Sequence, residues 1–160
     1  MRYYLAYGSN LNKEQMAHRC PDAKSICKWT ISNYQLVFRC GFLTIEPKEG
    51  AEVPCGVWEI SEQDERNLDR YEGHPYFYRK EYFPAMVPDP EELTGKMVTA
   101  LVYVMNDGRR IQAPSDFYFY TVYGGYLDFG LDTALLVEAY ERAKWPEDST
   151  TVSTTNSGHE

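Results

Sequence analysis

The chain has 160 residues, of which 43% are hydrophobic and 25% charged, enough to bury the core of one domain. The formal net charge of -8 is spread along the sequence, and because no basic stripe is present we expect no nucleic-acid partner. No apolar run approaches the ~20 residues of a membrane helix, and the first residues do not read as a signal peptide, so we expect a cytoplasmic protein with no membrane partner.

The opening segment predicts a strand, a tight polar loop and a helix. Residues 3–7 are aromatic and apolar, as in a buried strand, and the loop 8–10 ends that run abruptly. A helix over 13–19 then begins from a cap at Asn10 or Asn12.

Strand patterns dominate the middle of the chain. Strands are predicted over residues 25–30, 34–38, 41–45 and 53–60, with a turn at 47–50. Ser61 opens a helix in which Leu68 and Tyr71 recur at helical spacing, and Gly73 stops it.

The last part predicts two more strands, two helices and a tail. The strands cover 78–87 and 97–104 and are joined by a polar loop over 88–96; the helices cover 116–123, ended by two glycines, and 131–144. Residues 146–160 are nearly devoid of apolar side chains and are predicted to be disordered. Strands followed by helices indicate an α+β fold, as one domain over 1–145.

The four cysteines, at positions 20, 27, 40 and 55, form no Cys-x-x-Cys pair, and the chain has three histidines. We therefore expect reduced thiols in or near the core, with no metal site.

The loop after the first strand is a candidate binding element. Gly8 allows close approach of the backbone, and free amides at a turn suit an anion or a developing oxyanion, although such a turn can also be purely structural. Ser9 is a weak candidate nucleophile, because the sequence shows neither a convincing histidine base nor a nucleophile elbow.

Glu72 is the candidate acid–base residue. It stands at a helix end among aromatic neighbours, which would desolvate the carboxylate and raise its pKa. The alternative is a solvated glutamate paired with Arg70 or Arg79. In the same way, Tyr118, Tyr120 and Tyr123 could contact a polar substrate or belong to the core.

Three blocks, in order, resemble the gamma-glutamylcyclotransferase family (the AIG2-like or BtrG-like group), from about residue 2 to 140. The first is Leu5-Ala6-Tyr7-Gly8-Ser9-Asn10-Leu11. The second is Gly50-Ala51-Glu52-Val53-Pro54-Cys55-Gly56-Val57-Trp58-Glu59-Ile60, which leads to Leu68-Asp69-Arg70-Tyr71-Glu72-Gly73. The third comprises Pro114-Ser115-x-x-Tyr118, Gly125 and Gly130-Leu131.

This resemblance implies a small, mostly antiparallel barrel-like sheet flanked by helices. It also implies an enzyme that converts a gamma-glutamyl amino acid or amine to 5-oxoproline by attack of the α-amine on the γ-carbonyl, with Glu72 as general base and then acid. The implied substrate contacts are Tyr7, Gly8, Ser9, Asn10, Leu11, Tyr78 and Tyr118. The implied partner is a small gamma-glutamyl molecule, with no cofactor and no metal, in a monomer or homodimer.

Two other functions remain open at this point. One is a non-catalytic module that binds glutamyl or acidic end groups. The other is an acyl hydrolase or transferase with Ser9 or a cysteine as nucleophile. The loop motif differs from that of the glutathione-specific branch, which makes glutathione a less favoured substrate.

Overall fold

One mixed five-stranded sheet carries four α-helices in the computed structural model, which describes residues 1–146. The strands are β1 (Arg2–Ala6), β2 (Lys24–Arg39), β3 (Phe42–Ile60), β4 (Tyr78–Asp89) and β5 (Glu92–Met105). The helices are α1 (Lys13–Arg19), α2 (Glu62–Glu72), α3 (Asp116–Asp128) and α4 (Ala134–Lys144), and a short 3-10 helix covers Ser9–Leu11.

The sheet has the strand order β2-β3-β1-β5-β4. β1 lies between two antiparallel hairpins, antiparallel to β3 and parallel to β5. The predicted α+β class with a mostly antiparallel sheet is confirmed. The sheet is not closed by hydrogen bonds, but its edges touch through side chains: the rings of Tyr34 on β2 and Phe83 on β4 are 5.1 Å apart.

The core packs against both faces of β1 and fixes its position, because consecutive strand residues point to opposite faces and both Leu5 and Ala6 are buried. Leu5 and Ala6 are almost completely buried between the hairpins, in the same core cluster as Tyr126 of α3 and Leu136 of α4. Burial of these apolar side chains is the main stabilising contribution, so the loop that follows β1 starts from a rigid base.

The hairpin formed by β2 and β3 has longer strands than the sequence predicts. The predicted strands 25–30 and 34–38 belong to the single strand β2, and β3 runs through the predicted turn at 47–50. Residues 48–51 instead form a bulge opposite Asn33, where the Gly50 amide donates to Asn33 Oδ1 at 3.0 Å. Turn residues therefore mark a bulge and not a reversal of the chain.

Three other predicted boundaries differ from the structure. The loop predicted over 88–96 is mostly strand, with a two-residue turn between β4 and β5. The helix predicted to end before its two glycines continues to Asp128 as α3. α4 begins at Ala134, later than the predicted residue 131.

The caps predicted for α1 and α2 are confirmed. Asn12 caps α1 by accepting a hydrogen bond from the Gln15 amide, and Ser61 and Asp64 form a capping box on α2. Gly73 ends α2 in the left-handed conformation, with φ of 64°.

The predicted disordered tail lies outside the described residues from position 147 onward, so that prediction and the domain boundary stay untested. No helix within 1–146 is both long and apolar enough to cross a membrane. The cytoplasmic location stays a prediction.

Candidate active site

A cavity of about 350 Å³ opens where the loop after β1 meets the end of α2. Every predicted site residue except Leu11 lines it: Tyr7, Gly8, Ser9, Asn10, Glu72, Tyr78 and Tyr118. These residues come from four parts of the chain: the loop after β1, the end of α2, the start of β4, and α3. The fold therefore brings residues that are far apart in the sequence to one cavity.

Hydrogen bonds within the loop after β1 and from Trp58 fix the loop's conformation. Its internal hydrogen bonds begin with the Leu11 amide donating to the Gly8 carbonyl at 3.1 Å, so the amides of Ser9 and Asn10 precede the first bond of the 3-10 helix. Trp58 Nε1 donates to the Asn10 carbonyl at 2.9 Å and fixes the far side of the loop.

Leu11 is a correction to the predicted substrate contacts. Its side chain is fully buried, packs into the core beneath the loop and does not line the cavity. An apolar side chain at the end of this turn anchors the loop, since its burial is more favourable than exposure in a polar site.

Glu72 is the last residue of α2 and is half-buried at the cavity wall. Burial raises its pKa from an ordinary 4.5 to about 7, while the Arg19 charge and a hydrogen bond from Asn10 act in the opposite direction. That bond runs from Asn10 Nδ2 to Glu72 Oε1 at 3.1 Å. The carboxyl group can therefore exist in either protonation state near neutral pH.

The alternative of a solvated Glu72 paired with Arg70 or Arg79 does not describe the structure. Arg79 pairs with Glu81 at 3.1 Å, and neither arginine forms an ion pair with Glu72 within residues 1–146. The cation that acts on Glu72 is Arg19, at the end of α1.

The cavity tyrosines fall into two groups by their hydroxyl bonds. Tyr7 donates to the Tyr103 carbonyl at 2.5 Å, and Tyr78 donates to the Leu43 carbonyl at 2.8 Å, so their protons are already engaged. Tyr118 instead accepts from the Leu43 amide at 3.2 Å, which leaves its own proton available to a ligand. Burial raises the pKa of all three, so they stay neutral.

Tyr4 resembles Tyr118 in this respect. Its hydroxyl accepts from Asn10 Nδ2 at 3.0 Å and retains a proton to donate. Phe42 completes the wall, with its ring edge-to-face on Tyr118 at 5.2 Å and on Phe77 at 5.9 Å.

Sequence reasoning missed Tyr4, Arg19, Phe42 and Tyr103. Nothing local singles out Arg19, because its place beside Asn10 depends on how α1 folds back over the loop. Tyr103 reaches the site only because β5 pairs with β1, where Tyr4 opposes Leu101. The aromatic run around Glu72 gave the one signal, and it pointed to Tyr71 and Phe77 as neighbours.

The candidate nucleophiles lack activating partners. Ser9 Oγ shares a hydrogen bond with the Tyr71 hydroxyl at 3.2 Å, and none of the described residues lining the cavity is a histidine or a cysteine. All four cysteines are free, and burial raises the pKa of Cys20 to about 12. Across residues 1–146, no three histidine, cysteine, aspartate or glutamate side chains come together as metal ligands.

Comparison with known proteins identifies the family of this chain and agrees with the fold. Residues 4–119 match the family model described as "Gamma-glutamyl cyclotransferase, AIG2-like". The chain belongs to this family. A search of curated proteins gave no match.

Solved structures resemble nearly the whole chain. One named "Gamma-glutamyl cyclotransferase" is 27% identical, covers 93% of this chain and 90% of its own, and has a TM-score of 0.69. The uncharacterized protein loc79017 from Homo sapiens is also 27% identical with the same coverages, at a TM-score of 0.66. YkqA from Bacillus subtilis, at 18% identity, TM-score 0.69 and coverages of 90% and 54%, shows likeness of fold alone.

Proposed function

We propose that this protein is a gamma-glutamyl cyclotransferase that converts a gamma-glutamyl amino acid or amine to 5-oxoproline and releases the amine. The observation that carries the proposal is a half-buried carboxyl group, Glu72, whose pKa is raised to about 7 at the wall of an aromatic cavity. Family membership supports the reaction class.

The reaction needs a group that first accepts and then donates a proton. The substrate's α-ammonium must lose one proton before its nitrogen can attack the γ-carbonyl and a second as that nitrogen becomes the lactam N–H. The leaving nitrogen must gain one proton when the C–N bond breaks and a second as the released amine becomes an ammonium. Glu72 can perform both steps in turn, because a carboxyl group with a pKa near the working pH exchanges protons readily in either direction. The proton taken from the amine is thus returned to the leaving group.

The loop and the tyrosine hydroxyls would hold the substrate's anionic oxygens. The amides of Ser9 and Asn10 and the free proton of Tyr118 are donors beside the cavity, suited to an α-carboxylate or to the oxyanion of the tetrahedral intermediate. A Cβ at Gly8 would lie 3.4 Å from the Tyr118 hydroxyl, an ordinary van der Waals contact, so the loop backbone and this hydroxyl lie side by side at the cavity.

The aromatic walls would hold the glutamyl chain folded. Closure of a five-membered ring requires the α-nitrogen to lie against the γ-carbon, and fixing that conformer supplies much of the rate enhancement. The rings of Phe42, Tyr78 and Tyr118 line the cavity and would limit the access of water to the reacting atoms.

The test is to incubate the protein with gamma-glutamyl amino acids, gamma-glutamyl amines and glutathione, and to identify products by mass spectrometry. We expect 5-oxoproline and the free amine in equal amounts. Release of glutamate in place of 5-oxoproline would indicate hydrolysis, and binding with no product would indicate a binding module; either result would contradict the proposal.

N-Acetylated versions of the same compounds are the matched control. Acetylation removes the nucleophile but leaves the scissile bond intact, so a cyclotransferase must leave these compounds unchanged. Turnover of free and acetylated substrates at equal rates would show that the α-amine is not the attacking group.

A further inference from the structure

Arg19 is a half-buried cation without an acidic partner. It is the last residue of α1, and no carboxylate in the described part of the chain lies within ion-pair distance of its guanidinium. Its Nη1 donates to Asn10 Oδ1, its Nη2 donates to Gln15 Oε1 at 3.2 Å, and the group stacks on the Tyr71 ring with 3.4 Å to the centroid. Ordering a long side chain in this way loses entropy, and a surface ion pair does not account for it.

The hydrogen bond from Arg19 determines which way the Asn10 side chain faces. Because the guanidinium can only donate, it selects Oδ1 of Asn10 as its acceptor. The Nδ2 group must then face the other way, where it donates to Tyr4 at 3.0 Å and to Glu72 at 3.1 Å. The opposite amide orientation would place Oδ1 against the carboxylate, where two acceptors repel.

We infer that Arg19 is a positioning residue for Glu72. It holds the Nδ2 group of Asn10 toward the Glu72 carboxylate, and it keeps a positive charge near that carboxylate, with the Asn10 side chain between the two groups. Its effect on turnover rests on the proposed function. In each cycle Glu72 must return from the acid to the carboxylate, and Arg19 favours the carboxylate without touching the substrate. The stack on Tyr71 holds the guanidinium at that distance.

Other groups around Glu72 do not duplicate this charge. Arg70 also lines the cavity, but it is exposed, so solvent screens it. Among the described residues, the other titratable side chains that line the cavity are tyrosines, and burial raises the pKa of five of them, which therefore stay neutral: Tyr4, Tyr7, Tyr78, Tyr103 and Tyr118. Burial, which raises the pKa of Glu72, is therefore opposed chiefly by Arg19 and by the Asn10 bond that Arg19 orients.

The test is the titration of the Glu72 carboxyl group, followed by carbon NMR without substrate. In Arg19→Gln we expect the Glu72 midpoint to rise by on the order of 1 pH unit, because an opposite charge and an oriented donor are lost. The acid limb of kcat/KM should move upward by the same amount. Arg66→Gln, which removes an exposed arginine paired with Glu62 on α2, should leave both unchanged.

Arg19→Lys separates charge from geometry and also guards against a variant that does not fold. Lysine keeps the positive charge but not the planar guanidinium group that donates to both Asn10 and Gln15. The titration midpoint of Glu72 should therefore lie between those of wild type and Arg19→Gln. A folded Arg19→Gln that titrates as wild type would overturn the inference, as would a lysine variant that titrates like the glutamine variant. Since no substrate is needed, this result is independent of whether 5-oxoproline is formed.

Discussion

Glu72 links the proposed chemistry to the stability of the fold. Its pKa is about 7 in the folded protein against an ordinary 4.5, so the folded state binds this proton more tightly than the unfolded chain does. The stabilising effect of that proton is fully present below the unfolded pKa and is lost as the pH rises through the folded pKa. Above neutrality the protein must keep a half-buried negative charge.

We expect Glu72→Gln to be more stable than wild type at about pH 8 by on the order of 2 kcal/mol, and equal to it near pH 4. Glutamine keeps the shape and an acceptor for Asn10 but removes the charge. Urea unfolding at the two pH values measures the difference, with the exposed Glu62→Gln as control. A Glu72→Gln protein that is less stable than wild type at pH 8 would contradict the raised pKa.

The two groups of cavity tyrosines predict different effects of removing a hydroxyl. Tyr118→Phe removes a free donor and should lower kcat/KM by roughly 10-fold to 100-fold, the value of a hydrogen bond to a charged group. Tyr78→Phe removes a proton already given to the Leu43 carbonyl, so it should reduce stability with little effect on kcat/KM. Steady-state kinetics and thermal unfolding of both variants check this; equal losses of kcat/KM would refute the distinction.

At the scale of elements, the packing of α3 against the 3-10 helix supports the substrate loop. A Cβ at Gly125 would lie 2.5 Å from the Asn12 amide nitrogen and 2.6 Å from Leu11, so only glycine permits this approach of the two backbones. The same contact explains why α3 continues through its two glycines. The loop after β1 is thus fixed at one end by β1 and packed at the other against α3.

Gly125→Ala should lower the free energy of unfolding by about 1–3 kcal/mol and also raise KM, since the loop must shift to admit the methyl group. Gly124→Ala is the matched control: its Cβ would meet the Asn12 side chain at 3.3 Å, and alanine favours the helix. Urea unfolding and KM for both variants give the comparison. A Gly125→Ala protein as stable and active as Gly124→Ala would show that the close approach is not needed.

Local signals predicted the element ends that are fixed locally. The caps at Asn12 and Ser61 and the left-handed Gly73 each act within one helical turn, so the sequence alone revealed them. The bulge at 48–51 and the course of α3 through Gly125 depend on a partner strand or loop far along the chain. Glycine at these positions indicates a turn or a helix end. Whether the chain instead forms a bulge or continues as a helix is decided by tertiary contacts.

At the scale of the whole molecule, the strand order brings the site together. Because β1 pairs with both β3 and β5, it is the central strand, and the loop after β1 lies at one end of the middle of the sheet. Glu72 of α2 and Tyr118 of α3 lie beside this loop. The motif resemblance predicted these three parts in one cavity. It did not predict Arg19 or Tyr4, because their roles arise from the path of α1 and from hydrogen bonds through Asn10.

Turnover by Glu72→Gln tests the central claim most directly. With a gamma-glutamyl substrate that the wild type converts, 5-oxoproline formation is measured beside substrate binding by calorimetry, and Glu62→Gln serves as the exposed control on the same helix. The account predicts that Glu72→Gln loses roughly 100-fold or more of kcat while it still binds, and that Glu62→Gln matches wild type. If the Glu72→Gln variant forms 5-oxoproline at the wild-type rate, Glu72 is not the proton-transfer group.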